Sequence, residues 1–174
     1  MSGRVEGIWY ADADSEPMVS VERIEAIEGG LAGDRYATGK GYYSPFDVCA
    51  VTFIEAEIID DIRDAGIDLT DGRHRRNVVT RGVDVTDLLE TRFRVGEAVF
   101  EGTRPRPPCV HVEEVAGEDG VAKALAGDRG GICADVVTPG EFGVGDEIEI
   151  VEDLSFDAEG LAASIADRSD AEIL

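Results

Sequence analysis

The residues best equipped for chemistry in this chain lie between Arg73 and Cys109. Eight of its 16 basic residues fall there: Arg73, Arg75, Arg76, Arg81, Arg92, Arg94, Arg104 and Arg106. The acidic residues among them are Asp84, Asp87, Glu90, Glu97 and Glu101. The segment therefore carries +3 (8 − 5) in a chain whose formal charge is −22, which leaves −25 for the remainder. A local reversal of sign can form an anion site, because a guanidinium offers carboxylate or phosphate two parallel hydrogen bonds. The competing reading is a set of strand arginines paired with surface carboxylates, which contributes little. The segment ends on Cys109, beside Arg104 and Arg106 and just after Pro105, Pro107 and Pro108. The prolines stiffen the approach to the thiol. Two nearby cations favour the thiolate, the nucleophilic and metal-binding form of cysteine.

Other candidates carry weaker signals. The glycine-rich stretch from Gly29 to Gly41 holds Asp34 and Arg35 but lacks the spacing of a phosphate loop. By residue type alone it reads as a surface loop. Cys49 and Cys133 sit in apolar runs and read as buried thiols that behave as small hydrophobes. Three widely spaced cysteines do not make a secreted disulfide framework. No C-x-x-C pair exists and the only histidines are His74 and His111, which argues against structural zinc. His111 lies on a valine-rich segment and reads as structural. The charge argues against nucleic acid and anionic membrane as partners. With Lys40 and Lys123 as the only lysines, it also fits a halophilic protein from a high-salt cytoplasm. No apolar run has the length of a membrane span and no targeting peptide opens the chain, so the expected location is the cytoplasm.

The elements that must position these residues are short. A length of 174 residues suits one domain. Strands are expected over Arg4–Tyr10, Met18–Ile27 with an irregularity near Glu22 and Arg23, Asp47–Val51, Arg75–Thr80 and Ile132–Val137. Arg92–Glu101 reads as a hairpin turning at Gly96 and Glu97, and Val144–Val151 as a strand with a turn near Gly145. Thr52–Gly66 reads as the main helix, with Thr52 and Glu55 as a capping box and Gly66 as its stop. Shorter helices are expected over Val83–Glu90, with Asp84 as N-cap, and over Gly120–Ala126. Thr103–Pro108 is expected to be irregular, and the acidic segment 152–174 to be a docked helix or a disordered tail. The pattern points to a mainly β barrel or sandwich with added helices.

Five segments in order carry a family resemblance: GLAGDRY (Gly30–Tyr36), RRNVVTRGVDVTDLL (Arg75–Leu89), RFRVGEAVFEGTRPRPPC (Arg92–Cys109), GDRGGICADVV (Gly127–Val137) and VGDEIEI (Val144–Ile150). Together they resemble the MOSC domain, named for the C-terminal domain of molybdenum cofactor sulfurase, over residues 1–151. The resemblance implies a mainly β, pyruvate-kinase-barrel-like fold with a few helices. It also implies binding of the molybdenum cofactor, molybdopterin. Cys109 would carry sulfur or ligate molybdenum. Arg75, Arg76 and Arg81 would hold the pterin phosphate, with Asn77 on the pterin edge, Asp34 and Arg35 from the glycine loop, and Arg104 and Arg106 beside the thiol. Many stand-alone relatives have a second cysteine where this chain has Arg106, so a dithiol is not implied. Pyridoxal phosphate would act only through a partner, a cysteine desulfurase, and a molybdoenzyme is the other expected partner. Two alternatives stay open: a molybdenum-dependent reductase of N-hydroxylated bases or amidoximes, and a non-catalytic cofactor-binding adaptor.

Overall fold

The computed structural model describes residues 3–13, 16–35, 37, 49–106 and 120–154. Cys109, His111 and the segment 155–174 lie outside the described residues. The strands are β1 (Arg4–Tyr10), β2 (Val19–Val21), β3 (Arg23–Ile27), β4 (Gly30–Leu31), β5 (Val51–Glu55), β6 (Val78–Arg81), β7 (Thr91–Val95), β8 (Ala98–Pro105), β9 (Ile132–Thr138), β10 (Gly140–Gly143) and β11 (Ile148–Asp153). The helices are α1 (Ala56–Asp64) and α2 (Val121–Ala124), with 3-10 turns over Val85–Leu88 and Gly127–Gly130.

One sheet runs β11-β7-β8-β9-β5-β6-β1-β2, and a small sheet runs β10-β3-β4. The large sheet curls until its far side meets β1. Val5 N–H donates to the Asp146 carbonyl and Ile148 N–H to the Gly3 carbonyl, both at 2.9 Å. Inside the curl, Phe53, Phe93, Phe100 and Phe142 pack with ring centroids 5.3 to 5.8 Å apart. The β7–β8 hairpin shows why: alternation sends Phe93, Val95, Ala98 and Phe100 inward, while Arg92 and Arg94 face outward. A second apolar cluster, including Ile54, Ile59, Ile62 and Val79, lies under α1 on the outer face of the sheet.

The expected hairpin, the break at Glu22, the Asp84 cap and the Gly66 stop are all present. Residues on either side of Glu22 join different sheets. Asp84 Oδ1 accepts from Thr86 N–H at 3.0 Å and seats buried Val85 and Leu88. Asp84→Ala should therefore cost about 1 kcal/mol, read as a lower denaturant midpoint.

Several boundaries differ from the sequence reading. Thr52 does not cap a helix. VTFIE forms the central strand β5, parallel to β6 and antiparallel to β9, and the helix starts at Ala56. Apolar β-branched and aromatic residues suit a strand buried on both faces, and tertiary pairing overrides the local capping pattern. The strand expected at Asp47–Val51 begins at Val51, with 47–48 outside the described residues. Arg75 has φ +62°, so the strand expected from Arg75 starts at Val78. Strand β8 continues through Thr103 and Arg104 to Pro105, which pairs with Ile132 as the last residue of the strand. Val19 is exposed on β2.

Cys49 and Cys133 are not separate thiols. They form a disulfide with Cα atoms 5.4 Å apart, joining the residue before Ala50 to strand β9. Only the fold brings together two cysteines 84 positions apart.

Candidate functional site

Within the glycine-rich stretch, Asp34 and Arg35 do not remain at the surface. Asp34 and Arg35 are buried, and their partners come from distant segments. Asp34 Oδ1 accepts from Ala11 N–H and from Arg35 Nη1, each at 3.1 Å. Arg35 Nη2 donates to the Arg75 carbonyl at 3.2 Å, and Nη1 lies 3.5 Å from Met18 Sδ. The loop is thereby locked against β1 and against the turn that precedes β6.

That turn carries His74, Arg75, Arg76 and Asn77, all 5 % exposed or less. His74 Nδ1 accepts from Arg76 N–H at 2.9 Å. Burial, with the Arg76 and Arg75 charges adding to it, pushes the imidazole down to about 3, so the ring is neutral near neutral pH. Arg76 Nε donates to the Gly130 carbonyl at 2.7 Å and Nη1 to the His74 carbonyl at 3.0 Å. Arg75 Nη1 donates to the Glu16 carbonyl. Asn77 Oδ1 accepts from both Thr52 N–H and Thr52 Oγ1–H at 3.0 Å, and Nδ2 donates to the Trp9 carbonyl at 3.1 Å. This side chain stitches β5 to β1.

Arg106 joins from the other side. Its N–H donates to the Gly131 carbonyl at 2.8 Å, and its side chain is buried. A Cβ on Gly130 would lie 2.2 Å from the Arg106 carbonyl oxygen, so glycine is what lets the two segments meet. Four buried arginines, Arg35, Arg75, Arg76 and Arg106, thus lie on three segments that meet through backbone carbonyls, with the Asp34 carboxylate paired to Arg35.

The remaining arginines go elsewhere. Arg81 pairs with Glu6 at 2.6 Å and Asp60 at 2.9 Å on the outer face, and these hydrogen bonds raise its pKa. Arg104 is half-buried on β8, opposite Cys133. Arg73 pairs with Asp71, Arg92 with Glu101 and Glu152, and Arg94 with Glu149. The basic segment therefore divides. Part of it is surface ion pairing, and Arg75, Arg76 and Arg106 join Arg35 in a buried cluster. Arg75 and Arg76 do not reach solvent freely, contrary to what their place beside a turn suggests. Their partners are backbone carbonyls that only the fold supplies. Thr52, His74 and Gly130 were not singled out as site residues. The run His-Arg-Arg-Asn was the available signal, because it sets polar side chains directly before an apolar strand.

A family model for the MOSC domain matches residues 44–149, more than half of the 174 residues. The chain belongs to the MOSC domain family. The family is associated in general with the molybdenum cofactor. Solved structures with similar folds include the YUAD protein from Bacillus subtilis, at TM-score 0.72 and 22 % identity, covering 86 % of this chain and 96 % of that one. YiiM from Escherichia coli aligns at TM-score 0.64 and 22 % identity, over 94 % of this chain and 77 % of that one. YiiM from Geobacillus stearothermophilus aligns at TM-score 0.64 and 16 % identity, over 86 % and 75 % respectively. At these identities the likeness is one of fold, and it agrees with the mainly β, curled sheet of this MOSC domain. No curated protein matches the chain. Among the described residues no group of three His, Cys, Asp or Glu side chains is placed to hold a metal, and no helix is long and apolar enough to cross a membrane.

Proposed function

We propose that this MOSC domain binds the molybdenum cofactor with the pterin phosphate against the buried arginine cluster. The observation that carries the reading is that four buried arginines, Arg35, Arg75, Arg76 and Arg106, lie on three segments that meet here, with one buried carboxylate, Asp34, paired to Arg35. Positive charge concentrated where the dielectric is low attracts an anion strongly, and the planar guanidinium fits phosphate. The donor set therefore suits the cofactor's anionic end. Arg75 and Arg106 keep a few per cent of exposure and would touch the phosphate. Arg35 and Arg76 are fixed by backbone carbonyls and would supply field and rigidity. Asn77 and Asp34 would act by holding β1, β5 and the loop in place. When bound, the cofactor supplies a redox-active metal centre.

Cys109 follows Arg106 by three residues and is the proposed sulfur carrier or molybdenum ligand. A sulfur-carrying role calls for a pyridoxal-phosphate cysteine desulfurase as donor and a molybdoenzyme as recipient. Protein made in a cofactor-competent host should contain molybdenum and pterin in equal amounts, read by elemental analysis and pterin fluorescence. Arg75→Gln or Arg106→Gln should weaken binding of released cofactor by about 1.5–3 kcal/mol each, which is on the order of 10- to 150-fold. Wild-type protein free of pterin, or variants with unchanged affinity and unchanged melting, would count against this site.

A further inference from the structure

Between α1 and strands β1 and β6, on the outer face of the sheet, lies a cavity of about 200 Å3. Buried Ile59 and Val79 form its walls, and Ser20 stands exposed at its mouth. A protein cavity of about 150 Å3 already accommodates benzene. Two residues whose rings carry an N–H group line it, Trp9 and His74. Trp9 is oriented by glycines at both ends. A Cβ on Gly72 would lie 2.8 Å from Trp9 Cε3, and one on Gly7 would lie 3.3 Å from Nε1. The φ of Gly7 is not in the left-handed region, so what its missing side chain leaves is room beside Trp9 Nε1 and Val79. His74 lines the same space, is 1 % exposed and meets the indole edge-on at 5.8 Å between centroids. Its Nδ1 accepts from Arg76 N–H, so the neutral ring carries its proton on Nε2. No hydrogen bond from His74 Nε2 or Trp9 Nε1 is found among the described residues.

We propose that this cavity is a second binding site, for a small, neutral, planar ring that carries a hydrogen-bond acceptor, of the class of aromatic amides. The acceptor faces the Trp9 and His74 N–H groups, and the ring lies against Ile59 and Val79. The Glu6 and Asp60 carboxylates at the cavity and the −22 charge of the chain disfavour an anion. Arg81, which holds both carboxylates, and the two N–H donors disfavour a cation. The site stands apart from the arginine cluster and is linked to it by the Arg76–His74 hydrogen bond, so occupancy is felt at the turn that carries Arg75 and Arg76.

Trp9 is the single tryptophan of the chain, so its emission reports on this cavity directly. Titration with benzamide should give a saturable change in that emission, with benzoate and benzylamine binding more weakly. Gly7→Leu puts a side chain into the space and should abolish the saturable change while the far-UV spectrum is kept. Ile59→Phe fills the same space from the helix side and takes its place if Gly7→Leu does not fold. A wild-type protein that gives no saturable response to benzamide overturns the proposal, as does undiminished binding in a folded, filled variant. Tighter binding of benzoate or benzylamine overturns the assignment of a neutral acceptor.

Discussion

Reducing the Cys49–Cys133 bond should lower the melting temperature by roughly 9–18 °C. The bond closes a loop spanning 84 positions, and a cross-link of that span restricts the unfolded chain by about 4.5 kcal/mol in the chain-entropy account. For a domain of this size each kcal/mol corresponds to about 2–4 °C. The bond also sits where the fold depends on it. Cys133 pairs with Thr52 across β5 and β9, and Thr52 holds Asn77, the residue after Arg76. The check is a melt with and without a dithiol reductant, beside iodoacetamide labelling of denatured protein. Before reduction one cysteine per chain should label, identified as Cys109 by mass spectrometry, and after reduction all three. Three labelled cysteines without reductant would show that the bond does not form in solution. That outcome is what a reducing cytoplasm favours, so the experiment also bears on the compartment expected from the sequence.

Acidification should destabilise the protein through His74 before most carboxylates titrate. The folded ring is pushed down to about 3, while the unfolded ring keeps its ordinary 6.5. Between these values the unfolded chain binds a proton that the folded one refuses. Stability is therefore complete above about pH 6.5, falls as pH drops, and levels off below about pH 3. The slope is about 1.4 kcal/mol per pH unit, which is about 2 kcal/mol by pH 5 and approaches 5 kcal/mol at the lower limit. His74→Asn keeps an acceptor for Arg76 N–H and removes the titration. In denaturant melts from about pH 8 to about pH 5 at fixed KCl, wild type should lose about 2 kcal/mol more than the variant. Equal losses would mean that the folded ring takes up its proton normally, and the buried, neutral assignment would be wrong.

The two predictions divide differently between sequence and fold. The cysteines and the histidine were visible as residues, yet their environments were not. Cys133 read as a buried thiol, and it is buried, but its partner lies beyond the reach of local pattern. His74 enters the sequence reading only as one of two histidines, whereas the geometry makes it an acceptor for Arg76 and a wall of a cavity. The family and its β-rich fold were legible because five short motifs in fixed order constrain one another more than any one of them does.

What the sequence determined alone is the set of features that depend on near neighbours. The β7–β8 hairpin follows from alternation around Gly96, the turn at Val85–Leu88 from the Asp84 cap, and the end of α1 from Gly66 at φ +107°. Each involves residues a few positions apart, whose energies do not need the remainder of the chain. Only the tertiary structure decided which arginines gather. Arg35 finds Arg75 across 40 positions and Arg76 finds Gly130 across 54, while Arg81 is drawn to Glu6 and Asp60 on the outer face of the sheet. The physical reason is where the strand begins. Arg81 lies on β6, whereas residues 75–77 lie in the turn before it, which the left-handed Arg75 takes off the strand path and towards partners from distant segments.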